Sequence, residues 1–217
     1  MPQGEVAAAG FSETPTGVSL LHPFLRAPDA KSGNVSAWRL PIEGPLLLCT
    51  RRFADARGSV CETYSERDFQ ALGVTERFVQ DNHSLSRAAG TLRGMHFQAP
   101  PAAQAKLVRV LRGAILDVIV DLRRGSASFG RHVACNMSGE GAEQLYVPAG
   151  FAHGFVTLEA ETEVAYKVDD FYAPELDRGL AWDDPELGLP WPELPGGPIL
   201  SDKDRLHPRL RDLPPFF

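Results

Sequence analysis

From Leu46 onward, apolar and polar residues alternate in short runs separated by turn-forming residues. The runs are ERFVQDNHSLS (76–86), GTLRGMHFQ (90–98), QAKLVRVLRG (104–113), AILDVIVDLRR (114–124), GRHVACNMSG (130–139), EQLYVPAGFAHGFVTL (143–158) and ETEVAYKVDDFY (161–172). Alternation with a period of two, bounded by glycine and proline, predicts half-buried β-strands, and this cadence belongs to a sandwich or barrel. In 114–124, Leu116, Val118, Val120 and Leu122 share one face; Ile115, Asp117, Ile119 and Asp121 share the other. That strand is therefore expected to pack on one side and be mixed on the other. Val164, Tyr166 and Val168 share a face by the same count, which directs Tyr166 inward.

The flanks lack such a period. Residues 1–44 are rich in Gly, Ala, Ser, Pro and Thr and predict a loose arm with one short pairing segment around VSLLHPFL (18–25); residues 45–217 are expected to form a single domain. Beyond Tyr172, six prolines between Pro174 and Pro198 deny the chain long regular elements, and SDKDRLHPRL (201–210) leaves room for a turn or two of helix. The chain shows no internal repeat.

Composition narrows the class further. At 217 residues and 43% hydrophobic content the chain can bury one good core, and 20 glycines with 18 prolines suit short strands better than a helical bundle. A formal net charge of −6 opposes binding to nucleic acid or an anionic membrane, so any phosphate must meet a local group of arginines. Cys49, Cys61 and Cys135 are odd in number and widely spaced, which argues against a disulfide framework or a zinc knuckle and for a reducing, cytoplasmic setting. No basic segment precedes an apolar stretch at the start, and no 18 apolar residues run together, so neither a secretory signal nor a membrane span is expected.

Whole enzyme classes lack their local mechanics here: there is no GxGxxG after a strand, no GxxxxGK[ST], no HExxH and no GxSxG. His96 offers a near-neutral base, but most histidines only satisfy local hydrogen bonds. His153 reads equally as a core residue or a ligand contact, and an inward tyrosine such as Tyr166 is ordinarily a packed aromatic. Arg93 and His96 pose a geometric problem, because an odd separation puts them on opposite faces of a regular strand. Either Gly94 marks a bulge or Arg93 serves a partner subunit's pocket.

Six pieces, FADARGSVCE (53–62), FVQDNHS (78–84), LRGMHFQAPPAAQAKLVRV (92–110), QLYVPAGFAHGF (144–155), YKVDDFYAP (166–174) and LSDKD (200–204), stand in the order and nearly the spacing of one family. In them the chain resembles the dTDP-4-dehydrorhamnose 3,5-epimerases, metal-independent members of the cupin jelly-roll group. The resemblance implies an all-β, cupin-type jelly roll and a cofactor-independent isomerase acting on a dTDP-linked 4-keto-6-deoxyhexose. It also implies a homodimer. By the same resemblance His96 is the base, Asp204 its carboxylate partner, Lys106 the cation beside the developing enolate and Tyr166 the proton donor. Arg57 and Arg93 match the pyrophosphate-binding arginines. Glu62, Gln80, Asp81, Asn82, His153, Asp177 and Lys203 fall on or beside other substrate-contact positions, although the family usually carries glutamate where Asp177 stands. His96 continues as HFQ where a metal-binding cupin carries HxH, so no metal is expected. Left open are a monoepimerase acting at C3 or C5 alone and a non-catalytic nucleotide-sugar-binding cupin.

Overall fold

The computed structural model describes residues 26–217 and, ahead of them, the backbones of Ser12–Thr14 and Gly17–Leu20. In chain order the strands are β1 (Ser12–Thr14), β2 (Gly17–Leu20), β3 (Ala30–Ser32), β4 (Val35–Arg39), β5 (Leu46–Thr50), β6 (Arg52–Asp55), β7 (Gly58–Cys61), β8 (Gln80–Ser86), β9 (Leu92–Gln98) and β10 (Lys106–Arg112). They continue with β11 (Ala114–Asp121), β12 (His132–Ser138), β13 (Glu143–Val147), β14 (Phe151–Thr157), β15 (Thr162–Val168) and β16 (Asp177–Gly179). The α-helix described, α1 (Glu66–Ala71), lies between β7 and β8. No helix among the described residues is long and apolar enough to cross a membrane.

Two seven-stranded sheets result, in the orders β1-β2-β12-β11-β14-β9-β16 and β3-β4-β5-β13-β10-β15-β8, while β6 and β7 form a separate hairpin. The pairs are antiparallel except β2 with β12, which run parallel. The sheets face each other across a core of Trp38, Leu47, Val108, Ile115, Ile119, Val133, Leu145, Phe151, Phe155 and Val164, drawn from both sheets. This is a sandwich, as the strand cadence predicts, in the double-sheeted jelly-roll form that the family resemblance implies.

All seven predicted runs contain strands, and 143–158 divides into β13 and β14 at the turn around Pro148 and Gly150. Two strands of the second sheet, β3 and β4, arise inside the 1–44 segment read as an arm, and Val35, Ala37 and Trp38 of β4 are buried. Of the predicted pairing segment at 18–25, residues 18–20 lie in β2; the rest is outside the described residues.

Strand β11 is buried on both faces rather than one. Ile115 and Ile119 enter the inter-sheet core, whereas Leu116, Val118 and Val120 meet Leu180, Leu187 and Leu213. The proline-rich C-terminal segment thus covers the outer face of the first sheet: it cannot form a ladder of its own, so it contributes side chains instead. The outer face of the second sheet is covered similarly, by Phe69 and Leu72 of the α1 region against Leu48, Leu107 and Tyr146.

Candidate active site

Toward one end of the barrel the inward faces change from apolar to polar. On the second sheet the inward positions of β10, β15 and β8 bring together Lys106, Tyr166 and Asn82, with Tyr166 paired in register to both Val108 and Asn82. On the first sheet His153 of β14 pairs with His96 of β9.

The problem of Arg93 and His96 resolves within β9. His153 pairs with His96 and Phe155 with Arg93, so three residues of β9 span two of β14. The extra residue is a bulge at Gly94 and Met95, which restores Arg93 and His96 to the same face. Gly94 is required there twice over: its φ is +145°, and a Cβ would lie 2.5 Å from the Gly154 Cα.

His96 Nε2 is 2.6 Å from Asp204 Oδ1. Asp204 opens a short 3-10 turn, Asp204–Leu206, and is 5% exposed. Burial alone raises its carboxyl; the neighbouring His207 and His96 nitrogens outweigh that and hold it well below the usual carboxylate range. Burial depresses the basicity of His96, against the hydrogen bond and charge of Asp204, while Lys106 and His207 depress it further. His96 is therefore a free base at neutral pH, beside a carboxylate able to stabilise the imidazolium it would become.

Lys106 is buried, and its Nζ donates to the His96 carbonyl oxygen at 3.1 Å, joining the two sheets at this point. Burial pulls its ammonium down to about 8, opposed by the charges of Asp177 and Asp117. Tyr166 packs against the inter-sheet core; burial raises its phenol above the ordinary value, Arg93 opposes this, and Asp177 and Tyr172 add to it. Tyr166 thus remains a proton-carrying donor across the neutral range. One connected electrostatic field reaches from His96 through Lys106 and Asp177 to Tyr166 and Arg93.

A base with a buried ammonium beside it, and a phenol that keeps its proton on the strand next to that ammonium, are the groups needed to remove a proton, hold a developing oxyanion and return a proton elsewhere. The His96, Asp204 and His207 donor atoms lie within 4.8 Å of one another. At 2.6 Å, however, the His96 and Asp204 atoms are joined by a hydrogen bond, closer than two ligands spaced around an ion of ~2.1 Å bond length would be.

The same constellation lies within a stretch that other proteins share. The family model described as dTDP-4-dehydrorhamnose 3,5-epimerase matches residues 39–212. A dTDP-4-dehydrorhamnose 3,5-epimerase of Sinorhizobium fredii is 49% identical over 178 residues, 82% of this chain and 91% of the relative. The chain belongs to the dTDP-4-dehydrorhamnose 3,5-epimerase family. Among solved structures, the Bacillus anthracis epimerase with TDP and pyrophosphate bound has a TM-score of 0.78 at 48% identity, covering 81% of this chain and 99% of that one. A Legionella pneumophila epimerase in complex with dTDP-4-keto-L-rhamnose has a TM-score of 0.79 at 39% identity, covering 83% and 95%.

The remaining residues singled out in the sequence fall into three groups. At the barrel mouth, Asp177 Oδ2 accepts from the Tyr172 hydroxyl at 3.0 Å and from Lys203 Nζ, while Gln80 Nε2 donates to Asn82 Oδ1 at 2.9 Å. Arg93 donates to the Ser86 hydroxyl at 3.1 Å. Deeper inside, His153 Nε2 meets Asp117 Oδ2 at 2.9 Å, and both side chains are buried. Outside the interior, Asp81 turns to the outer face of β8 and pairs with Lys167 at 2.8 Å; Arg57 and Glu62 lie exposed at the β6–β7 hairpin, Arg57 paired with Asp55 at 2.6 Å.

Three residues of this region did not stand out in the sequence reading: Asp117, Tyr172 and His207. Asp117 is legible as the polar residue between Ile115 and Ile119 on an inward face. His207 is legible as the residue three after Asp204 in a segment able to form a helical turn.

Proposed function

We propose that the chain converts dTDP-4-dehydro-6-deoxyglucose to dTDP-4-dehydrorhamnose by deprotonating and reprotonating C3 and C5. The observation that carries the reading is the buried His96–Asp204 pair with the Lys106 ammonium beside it, in a chain of this family. His96 takes the proton next to the C4 ketone. The electron pair moves into the carbonyl, and the oxygen that becomes negative is stabilised by Lys106. Asp204 holds the His96 ring and stabilises the imidazolium. Tyr166 returns a proton to the opposite face, which inverts the carbon; His96 then gives its proton to water and Tyr166 takes one from water, which resets base and donor for the second carbon.

Arg93 at the barrel mouth suits the diphosphate, since guanidinium groups give planar, charge-assisted hydrogen bonds. Arg57 and Glu62 would join the site across a homodimer. The β6–β7 hairpin, tied at its base by Arg52 to the Glu140 and Gly141 carbonyls, exposes Phe53 and Val60 at 45% and 73%, an apolar surface suited to burial against a second copy. Three free cysteines suit a reducing cytoplasm.

The test is proton exchange in deuterated water with dTDP-4-dehydro-6-deoxyglucose. The wild type introduces deuterium at C3 and C5 while forming product, and His96→Asn slows both exchanges by about 10²–10⁴-fold. Absence of deuterium at both carbons overturns the reading; deuterium at one alone makes the chain a monoepimerase.

A further inference from the structure

The Asp204 carboxylate has a second imidazole beside it. In a 3-10 turn, residues three apart stand on one side, so the turn Asp204–Leu206 returns His207 to Asp204. His207 Nε2 lies 3.5 Å from Asp204 Oδ1, the oxygen that His96 Nε2 meets at 2.6 Å. The two rings meet edge to face with centroids 5.5 Å apart and planes at 83°.

The seat for His207 is built into the sheet. Its side chain is 8% exposed, and Gly179 of β16, paired in register with His96, leaves the space that the ring fills: a methyl group at Gly179 would collide with it. Its Nε2 is buried without a well-aligned hydrogen bond, aimed at a carboxylate already engaged. An apolar side chain would fill this seat without burying a poorly satisfied polar atom, so packing alone does not account for an imidazole here.

We infer that His207 is a positioning residue: it anchors the Asp204 carboxylate and draws on the same oxygen as His96, so that the carboxylate is shared between two imidazoles. The inference rests on the base role proposed above for His96. An oxygen shared between two donors stabilises each positive partner less, so His96 stays a free base to lower pH than it would with Asp204 to itself. His207 is among the groups that depress the basicity of His96. The other groups around His96 are Asp204 from the same turn, Lys106 from β10, His153 with its Asp117 partner on the adjoining strands, and Asp177 at the far end of β16.

The experiment is an NMR pH titration of the His96 ring in the full-length wild type, His207→Ala and His207→Gln, paired with kcat/KM across the same pH range. In His207→Ala the His96 titration moves up by about half a unit to one unit, as the Asp204 oxygen is no longer shared. The acid limb of kcat/KM follows it. His207→Gln keeps an N–H for Asp204 but carries no charge, and moves the titration less. Gly179→Ala, which displaces the ring and leaves its chemistry intact, moves it in the same direction and substitutes for His207→Ala if that variant does not fold. An unmoved His96 titration in the folded variants overturns the inference. Because the titration is read without turnover, a shift accompanied by no acid limb in kcat/KM leaves the coupling standing and counts against the base role of His96.

Discussion

Lys106 is an ordinary surface residue type placed where its charge is hard to keep. Burial brings its ammonium to about 8, so the proposed oxyanion stabiliser exists in its working form only below that pH. The base behaves oppositely: His96 must be unprotonated, and its value lies below the ordinary 6.5. The sign is therefore fixed on both sides. Activity rises as pH climbs through the His96 transition below 6.5 and falls as pH passes about 8. A kcat/KM profile measured from pH 5 to 10 checks this, and a rate still rising above pH 9 contradicts it. Lys106→Met, which keeps the stem and removes the charge, is expected to lower kcat by about 10²–10³-fold, the scale of a lost oxyanion partner, with the alkaline limb disappearing. Steady-state kinetics reads both effects.

At this scale the sequence was only partly legible. His96 and Lys106 stand out through their neighbours, LRGMHFQ and QAKLVRV, because those segments match the family's in residue and spacing. His207 does not, because its closeness to His96 depends on a turn some hundred residues away docking under β9, and no local period encodes that docking. Asp81 shows the same limit from the other side: it adjoins Gln80 and Asn82 in sequence, but alternation turns it outward to Lys167.

Among the elements, β9 carries the decisive irregularity. A regular strand would separate Arg93 from His96, and the bulge at Gly94 brings them to one face. Gly94→Ala adds a Cβ 2.5 Å from the Gly154 Cα at a φ of +145°, combining backbone strain with overpacking. A loss of about 2–5 kcal/mol is expected, together with activity lost at temperatures where the fold persists. Urea titration and a residual-rate measurement separate the two; a variant with wild-type midpoint and rate contradicts the role given to the bulge. The glycine signal was visible in sequence, but it fitted a bulge and a partner-subunit pocket equally, and only the pairing of β9 with β14 decides between them. Strands with clean alternation were legible throughout 76–172. Between 30 and 61, β3, β6 and β7 were not, because they are short and mostly exposed and so carry little hydrophobic period.

For the whole molecule, the two sheets divide the proposed site: the first carries His96 and Arg93, the second Lys106 and Tyr166, and the C-terminal segment brings Asp204 to His96. The hairpin bearing Arg57 remains outside that barrel. With a chain mass of 23.7 kDa, light scattering of the proposed homodimer should read about twice that value. Arg57→Ala should weaken dTDP binding by about tenfold, a loss on the scale of one charge-assisted hydrogen bond, while the His96 titration stays where it is. A monomer at working concentrations contradicts the assembly.

The central claim is that His96 and Tyr166 attend opposite faces of one sugar ring, and Tyr166→Phe in deuterated water tests it most directly. With the base intact and the opposing donor removed, the substrate should take up deuterium beside the ketone and be recovered with its original configuration, while epimerised product falls by at least about 10²-fold. Epimerised product at the wild-type rate, or loss of deuterium uptake together with loss of product in a folded variant, would contradict the assignment of the two residues to opposite faces.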